Sequence, residues 1–105
     1  MALEVTMDNY QELVVNSDKP VLLDFYAEWC GPCKALIPIM DELSNDYADK
    51  AVIAKVNVED CRDIGAEFGI MAIPTVVVMN KGQFVKKVSG VLKKKDYEDM
   101  INDLL

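Results

Sequence analysis

Apolar and polar positions along the chain switch between two periods, and the switches predict its elements. Tyr10, Leu13 and Val14 share one helical face, and Asp8 precedes them with Gln11 placed to reach back as in a capping box. That pattern predicts a first helix capped by Asp8. Val21 to Ala27 follows Pro20 and is mostly apolar, as expected of a strand buried on both faces. Leu36, Ile39, Met40, Leu43 and Tyr47 then recur at helical spacing, with Pro38 inside the helix, where its missing donor should bend it. Ala51 to Val58 reads as another strand, and Ile64, Gly65 and Phe68 predict a short helix. Thr75 to Met79 is a β-rich run just after Pro74. Asn80-Lys81-Gly82-Gln83 signals a turn, and Phe84 to Ser89 forms the returning strand of a hairpin. Tyr97, Met100, Ile101 and Leu104 define a final amphipathic helix, and Leu3 to Thr6 is a candidate short leading strand.

Strands joined through helices imply right-handed parallel crossovers, and the hairpin adds an antiparallel pair. The expected fold class is α/β, a mixed central sheet flanked by helices on both faces. No linker, repeat or low-complexity stretch interrupts the 105 residues, so residues 1–105 are expected to form a single domain. At 51% hydrophobic residues, the chain can build a core without disulfide staples.

A net charge of −7 disfavours a nucleic-acid partner, which demands a basic surface. It suits docking to basic patches on partner proteins. Met1 to Val5 lacks the basic start of a signal peptide, and no apolar run approaches the roughly 18 residues of a membrane helix. The expectation is therefore a cytoplasmic protein without a membrane partner. Thiols stay reduced there, so a close cysteine pair is expected to be catalytic or metal-binding rather than structural.

The chain has three cysteines and no histidine. Cys30 and Cys33 stand at a strand-to-helix junction, at a spacing that puts both on one helical face with Cβ atoms roughly 5–6 Å apart. A modest rotation brings the sulfurs to bonding distance, so the pair can open and close without unfolding the chain. Cys30 lies ahead of the helix, near its unpaired N–H groups and positive dipole end, which favours thiolate, the nucleophilic form. Cys33, one turn further in, is expected to be more buried and less reactive. Pro32 suits the first turn, where its missing donor costs nothing. The chemistry implied is two-step exchange: Cys30 attacks a substrate disulfide, and Cys33 then attacks Cys30 and releases the reduced substrate. A structural zinc site is the competing reading, but it takes four Cys or His ligands, and Cys61 is the only further cysteine or histidine. An inert structural disulfide is the other, disfavoured by the absence of an export signal.

Trp29-Cys30-Gly31-Pro32-Cys33-Lys34, with Asp24-Phe25-Tyr26-Ala27-Glu28 before it, closely resembles the thioredoxin family. The likeness continues through Pro38, Ile73-Pro74-Thr75, Gly82 and Gly90. It implies a thioredoxin fold, with Cys30 as attacking and Cys33 as resolving cysteine. It also implies an electron carrier that reduces protein disulfides in cell redox homeostasis. The Gly31-Pro32 pair resembles the reducing members. Family members that oxidise or isomerise carry a histidine there, which stabilises the thiolate and makes the disulfide more oxidising. A binding or assembly module working without redox turnover is a further alternative, against which the intact pair and Asp24 argue.

Asp24 interrupts an apolar strand, so burial should raise its pKa, and the resemblance makes it the proton acceptor for Cys33. Lys55 lies opposite Val52, Ala54, Val56 and Val58 on its strand, and the resemblance places it near that carboxyl, tuning its charge. By resemblance the Ile73-Pro74 bond is cis and exposes the Ile73 backbone to an extended substrate segment. Trp29, Gly31, Pro32, Ile73, Pro74, Gly90 and Val91 are expected to form a flat apolar collar for docking. Two departures fall near that surface: Tyr26 replaces the usual bacterial tryptophan, and Met71-Ala72 replaces a polar or basic residue and glycine. Cys61 reads as a small thiol near a helix start, or alternatively as a regulatory thiol open to oxidation. No organic cofactor is implied, because no GxGxxG motif is present, and no metal, because the ligand set is incomplete. The implied partners are protein disulfide substrates and a thioredoxin reductase, NADPH- or ferredoxin-linked. The chain is expected to act as a monomer.

Overall fold

The computed structural model describes residues 1–105. Its strands are β1 (Leu3–Glu4), β2 (Pro20–Tyr26), β3 (Val52–Asn57), β4 (Thr75–Asn80) and β5 (Gln83–Ser89), with helices α1 (Gly31–Asp46), α2 (Arg62–Glu67) and α3 (Lys94–Asn102). They form one five-stranded sheet in the order β1-β3-β2-β4-β5. β1 and β2 run parallel to β3, whereas β4 is antiparallel to both β2 and β5. This is the thioredoxin fold that the resemblance implied.

The two faces of β2 explain the layers. Its alternate residues Val21, Leu23 and Phe25 pack with Val14 and with Ile64 of α2. Leu22 packs on the other face with Leu36, Met40 and Leu43 of α1 and Tyr97 and Ile101 of α3. β2 is buried along nearly its whole length, which is why its sequence lacks strand-like alternation. Burying a side chain such as Phe25 contributes about 1.5–3 kcal/mol. Tyr97 is fully buried too, and its hydroxyl accepts the Leu92 N–H at 3.1 Å. α1 runs through Pro38, whose exposed position lets water serve the carbonyl that it cannot.

The start of the chain departs from expectation. Asp8 caps nothing: the reciprocal pair is Thr6 and Asn9, with the Thr6 N–H donating to Asn9 Oδ1 at 2.7 Å and the Asn9 N–H donating to Thr6 Oγ1 at 3.2 Å. The Gln11 side chain donates to Asn16 Oδ1 instead of reaching back. The helix itself is one wide turn, Gln11–Val15, in which the Asn16 N–H donates to the Gln11 carbonyl. Thr6 is thereby lost to the leading strand, which ends at Glu4.

The hairpin closes through Lys81 and Gly82, whose φ values of 53° and 78° match the twist of the flanking strands. Gly82 is required twice over, because a Cβ there would lie 2.7 Å from the Val15 carbonyl oxygen.

Candidate active site

β2 ends at Tyr26, and after three intervening residues Cys30 caps α1 in an extended conformation. The Cys30 N–H donates to the Ala27 carbonyl at 3.1 Å, which turns the chain into the helix. Cys30 and Cys33 form a disulfide with their Cα atoms 5.3 Å apart. The Cys33 N–H, an end-of-helix donor with no partner inside the helix, donates to Cys30 Sγ at 3.3 Å. In the reduced protein that donor and the dipole of a sixteen-residue helix favour a thiolate on Cys30.

Burial does not separate the two cysteines as expected: Cys30 is 4% exposed and Cys33 3%. Both pack with Ala27 and are covered by Tyr26, Val58 and Ile73. The asymmetry lies in the cap position, which belongs to Cys30 alone. No group of three or more Cys, His, Asp or Glu side chains stands where it could hold a metal ion.

Asp24 sits on the α1 side of β2, 3% exposed, and its Oδ1 has no hydrogen-bond partner. Burial pushes its pKa up to about 7, with Lys55 drawing it down and Glu4 raising it further. A cavity of about 160 Å³ is lined by both Asp24 and Cys33, with Tyr26 and Lys55 also on its wall. It is large enough for water to bridge carboxyl and thiol. Lys55 lies in register beside Asp24 as expected, but it pairs elsewhere, with Glu4 Oε1 at 3.7 Å.

Ile73–Pro74 is cis, and Ile73 packs against the cysteine cluster. Pro74 is buried rather than part of an open collar; its carbonyl accepts the Gly90 N–H at 2.8 Å and so fixes the segment leading to Val91. Trp29 is 69% exposed, and Gly31, Pro32 and Val91 are exposed too. Met71, at one of the unusual positions, is 97% exposed. Tyr26, at the other, donates its hydroxyl to both Glu4 carboxylate oxygens, at 2.9 and 3.0 Å.

Glu4 is the residue that the sequence did not single out. Its register partner on β3 is Lys55, whose partner on β2 is Asp24, so three charged residues form one row across three strands. Cys61 is buried at the start of α2, its thiol donating to the Val5 carbonyl at 3.7 Å, and burial raises its pKa. These features fit the small buried thiol and not one open to oxidants.

A family model described as Thioredoxin matches residues 1–103. Over 100 residues the chain is 43% identical to a thioredoxin of Haemophilus influenzae, covering 95% of this chain and 94% of that one. A thioredoxin of Chlorobaculum thiosulfatiphilum is 44% identical over 91 residues, 87% of this chain and 84% of its own. One from Alicyclobacillus acidocaldarius is 39% identical over 103 residues, 98% and 97% of the two chains.

Proposed function

The chain belongs to the thioredoxin family and is a thiol–disulfide reductase, and from that premise we propose how its residues divide the reaction. The Cys30 thiolate attacks one sulfur of a substrate disulfide, breaking that bond and forming a mixed disulfide. The other substrate sulfur leaves as a thiolate and takes up a proton. Cys33 gives its proton to the Asp24 carboxylate through water in the shared cavity, then attacks Cys30 Sγ. The mixed disulfide breaks, the second substrate thiolate leaves and is protonated, and the Cys30–Cys33 disulfide closes. Two electrons pass to the substrate.

The observation that carries this division is the hydrogen bond from the Cys33 N–H to Cys30 Sγ at the head of α1. Only the Cys30 sulfur receives a free N–H at the helix end, the setting that favours a thiolate once the pair is reduced. Asp24 suits a proton acceptor because a pKa of about 7 lets it take and return a proton near neutrality. Lys55 tunes that carboxyl. Trp29, Gly31, Pro32 and Val91 form the exposed docking surface beside the sulfurs, backed by Ile73, Pro74 and Gly90.

The partners are protein disulfides and a reductase that returns the disulfide to the dithiol. We read that reductase as NADPH- or ferredoxin-linked, the setting as the cytoplasm, and the working unit as a monomeric domain of residues 1–105. No helix is long and apolar enough to cross a membrane. The test is equilibration of the Cys30–Cys33 pair with glutathione. A centre that remains oxidised in a large excess of reduced glutathione is strongly reducing and supports the reading. One that glutathione readily reduces is an oxidant or isomerase instead.

A further inference from the structure

Lys55 has a carboxylate neighbour on each side, Glu4 on β1 and Asp24 on β2, both in register with it. Adjacent strands lie about 4.8 Å apart, so its four-carbon stem can reach either. The ammonium pairs with Glu4 and makes no ion pair with Asp24. We propose that Glu4 is a positioning residue that holds the Lys55 ammonium at the mouth of the cavity and so withholds it from the Asp24 carboxyl. The proposal rests on Asp24 serving as the proton acceptor.

Three contacts make the holder. Glu4 Oε1 lies 3.7 Å from Lys55 Nζ. The Tyr26 hydroxyl donates to both Glu4 oxygens and fixes the carboxylate in place. The Tyr26 ring then lies under the ammonium, with Nζ 5.5 Å from its centroid, where the ring face attracts a cation. A half-exposed ion pair alone is weak, and the tyrosine is what gives this one a defined geometry. Tyr26 thereby acquires a role in this chain, joining Glu4 through its hydroxyl and Lys55 through its ring face.

The other charged and titratable groups around Asp24 are committed elsewhere or lie at the rim. Asp41 of α1 accepts the Ala2 N–H at 3.0 Å, and the Tyr97 hydroxyl from α3 is bonded to Leu92. Glu28 and Lys34 line the same cavity but are exposed. Lys55 is the one cation whose backbone stands in register with Asp24. A carboxyl denied that cation stays a stronger base, able to take the proton from Cys33.

The experiment follows the Asp24 side-chain carboxyl by carbon-13 NMR titration of the oxidised full-length protein. It compares wild type, Glu4→Gln, Lys55→Gln and the double variant. Glu4→Gln lowers the Asp24 midpoint by roughly half a pH unit or more, through its lost charge and the released lysine together. In the Lys55→Gln background the same substitution moves it clearly less, since only the charge effect remains. An unmoved midpoint, or equal displacements in both backgrounds, overturns the proposal. The pH profile of mixed-disulfide resolution is measured on the same variants. A carboxyl that moves while this profile does not would uphold the holder and overturn Asp24 as the proton acceptor.

Discussion

Asp24 and Lys55 stand side by side in register on β2 and β3, yet no ion pair joins them. The carboxyl is left buried with an unpartnered Oδ1, and its pKa stands at about 7. Such a group opposes folding whenever it must be ionised, a cost that accords with the proposed use of its proton in the thiol chemistry beside it.

Replacing Asp24 by Asn stabilises the protein at neutral and alkaline pH. In the unfolded chain this carboxyl ionises near 3.8, whereas in the folded protein it does so at about 7. Stability from this group is therefore full below 3.8, falls as pH rises, and is lost above 7, by as much as about 4 kcal/mol. The buried amide of Asn retains part of the polar cost, so a gain of about 2–3 kcal/mol at pH 8 is expected. Urea unfolding at pH 8 and pH 4 checks this, and the gain should nearly vanish at pH 4.

The same substitution slows the second chemical step. In the wild type, resolution of the mixed disulfide is expected to speed up as pH rises through about 7, where Asp24 becomes able to act as the base. Asp24→Asn removes that inflection and lowers the rate at pH 7 by about 10²-fold, the lower end of what general-base catalysis supplies. Stopped-flow kinetics on a protein disulfide, followed through Trp29 fluorescence, provides the profile.

Trp29→Ala acts on docking. An exposed indole beside the reactive sulfur is the kind of side chain that dominates a small interface. Its removal should raise KM for protein disulfides about tenfold and leave the rate with a small-molecule disulfide nearly unchanged. Steady-state kinetics with the two substrate types separates these effects.

Gly82→Ala is the converse case, a structural substitution far from the chemistry. The new Cβ would lie 2.7 Å from the Val15 carbonyl oxygen, on a backbone with φ of 78°. A loss of about 2 kcal/mol in unfolding free energy is expected, with the turnover of folded protein unchanged.

The chemical centre was legible because it is local. Cys30 and Cys33 meet through their spacing on a single helix, and Pro32 and the strand ahead of them place that helix's start. The β2 strand was legible from its apolar run alone. The first helix was misread because Asp8-x-x-Gln11 and Thr6-x-x-Asn9 both have the form of a reciprocal cap, and only the folded geometry chose Thr6 and Asn9. The row Glu4–Lys55–Asp24 depends on how a two-residue strand registers on β3, and no local pattern encodes that. The cis Ile73–Pro74 bond came from the resemblance, since spacing cannot distinguish it from trans. Near-equal burial of the two cysteines accords with Tyr26, Val58 and Ile73 packing against their cluster, contacts that come from three separate segments.

The division of labour between the two cysteines is tested most directly by trapping. Cys33→Ser and Cys30→Ser variants are each reduced, mixed with a protein disulfide and analysed by non-reducing gel and mass spectrometry. The account predicts a stable covalent complex through Cys30 in the Cys33→Ser variant and none in the Cys30→Ser variant. Complexes in both, or a complex only through Cys33, would contradict it.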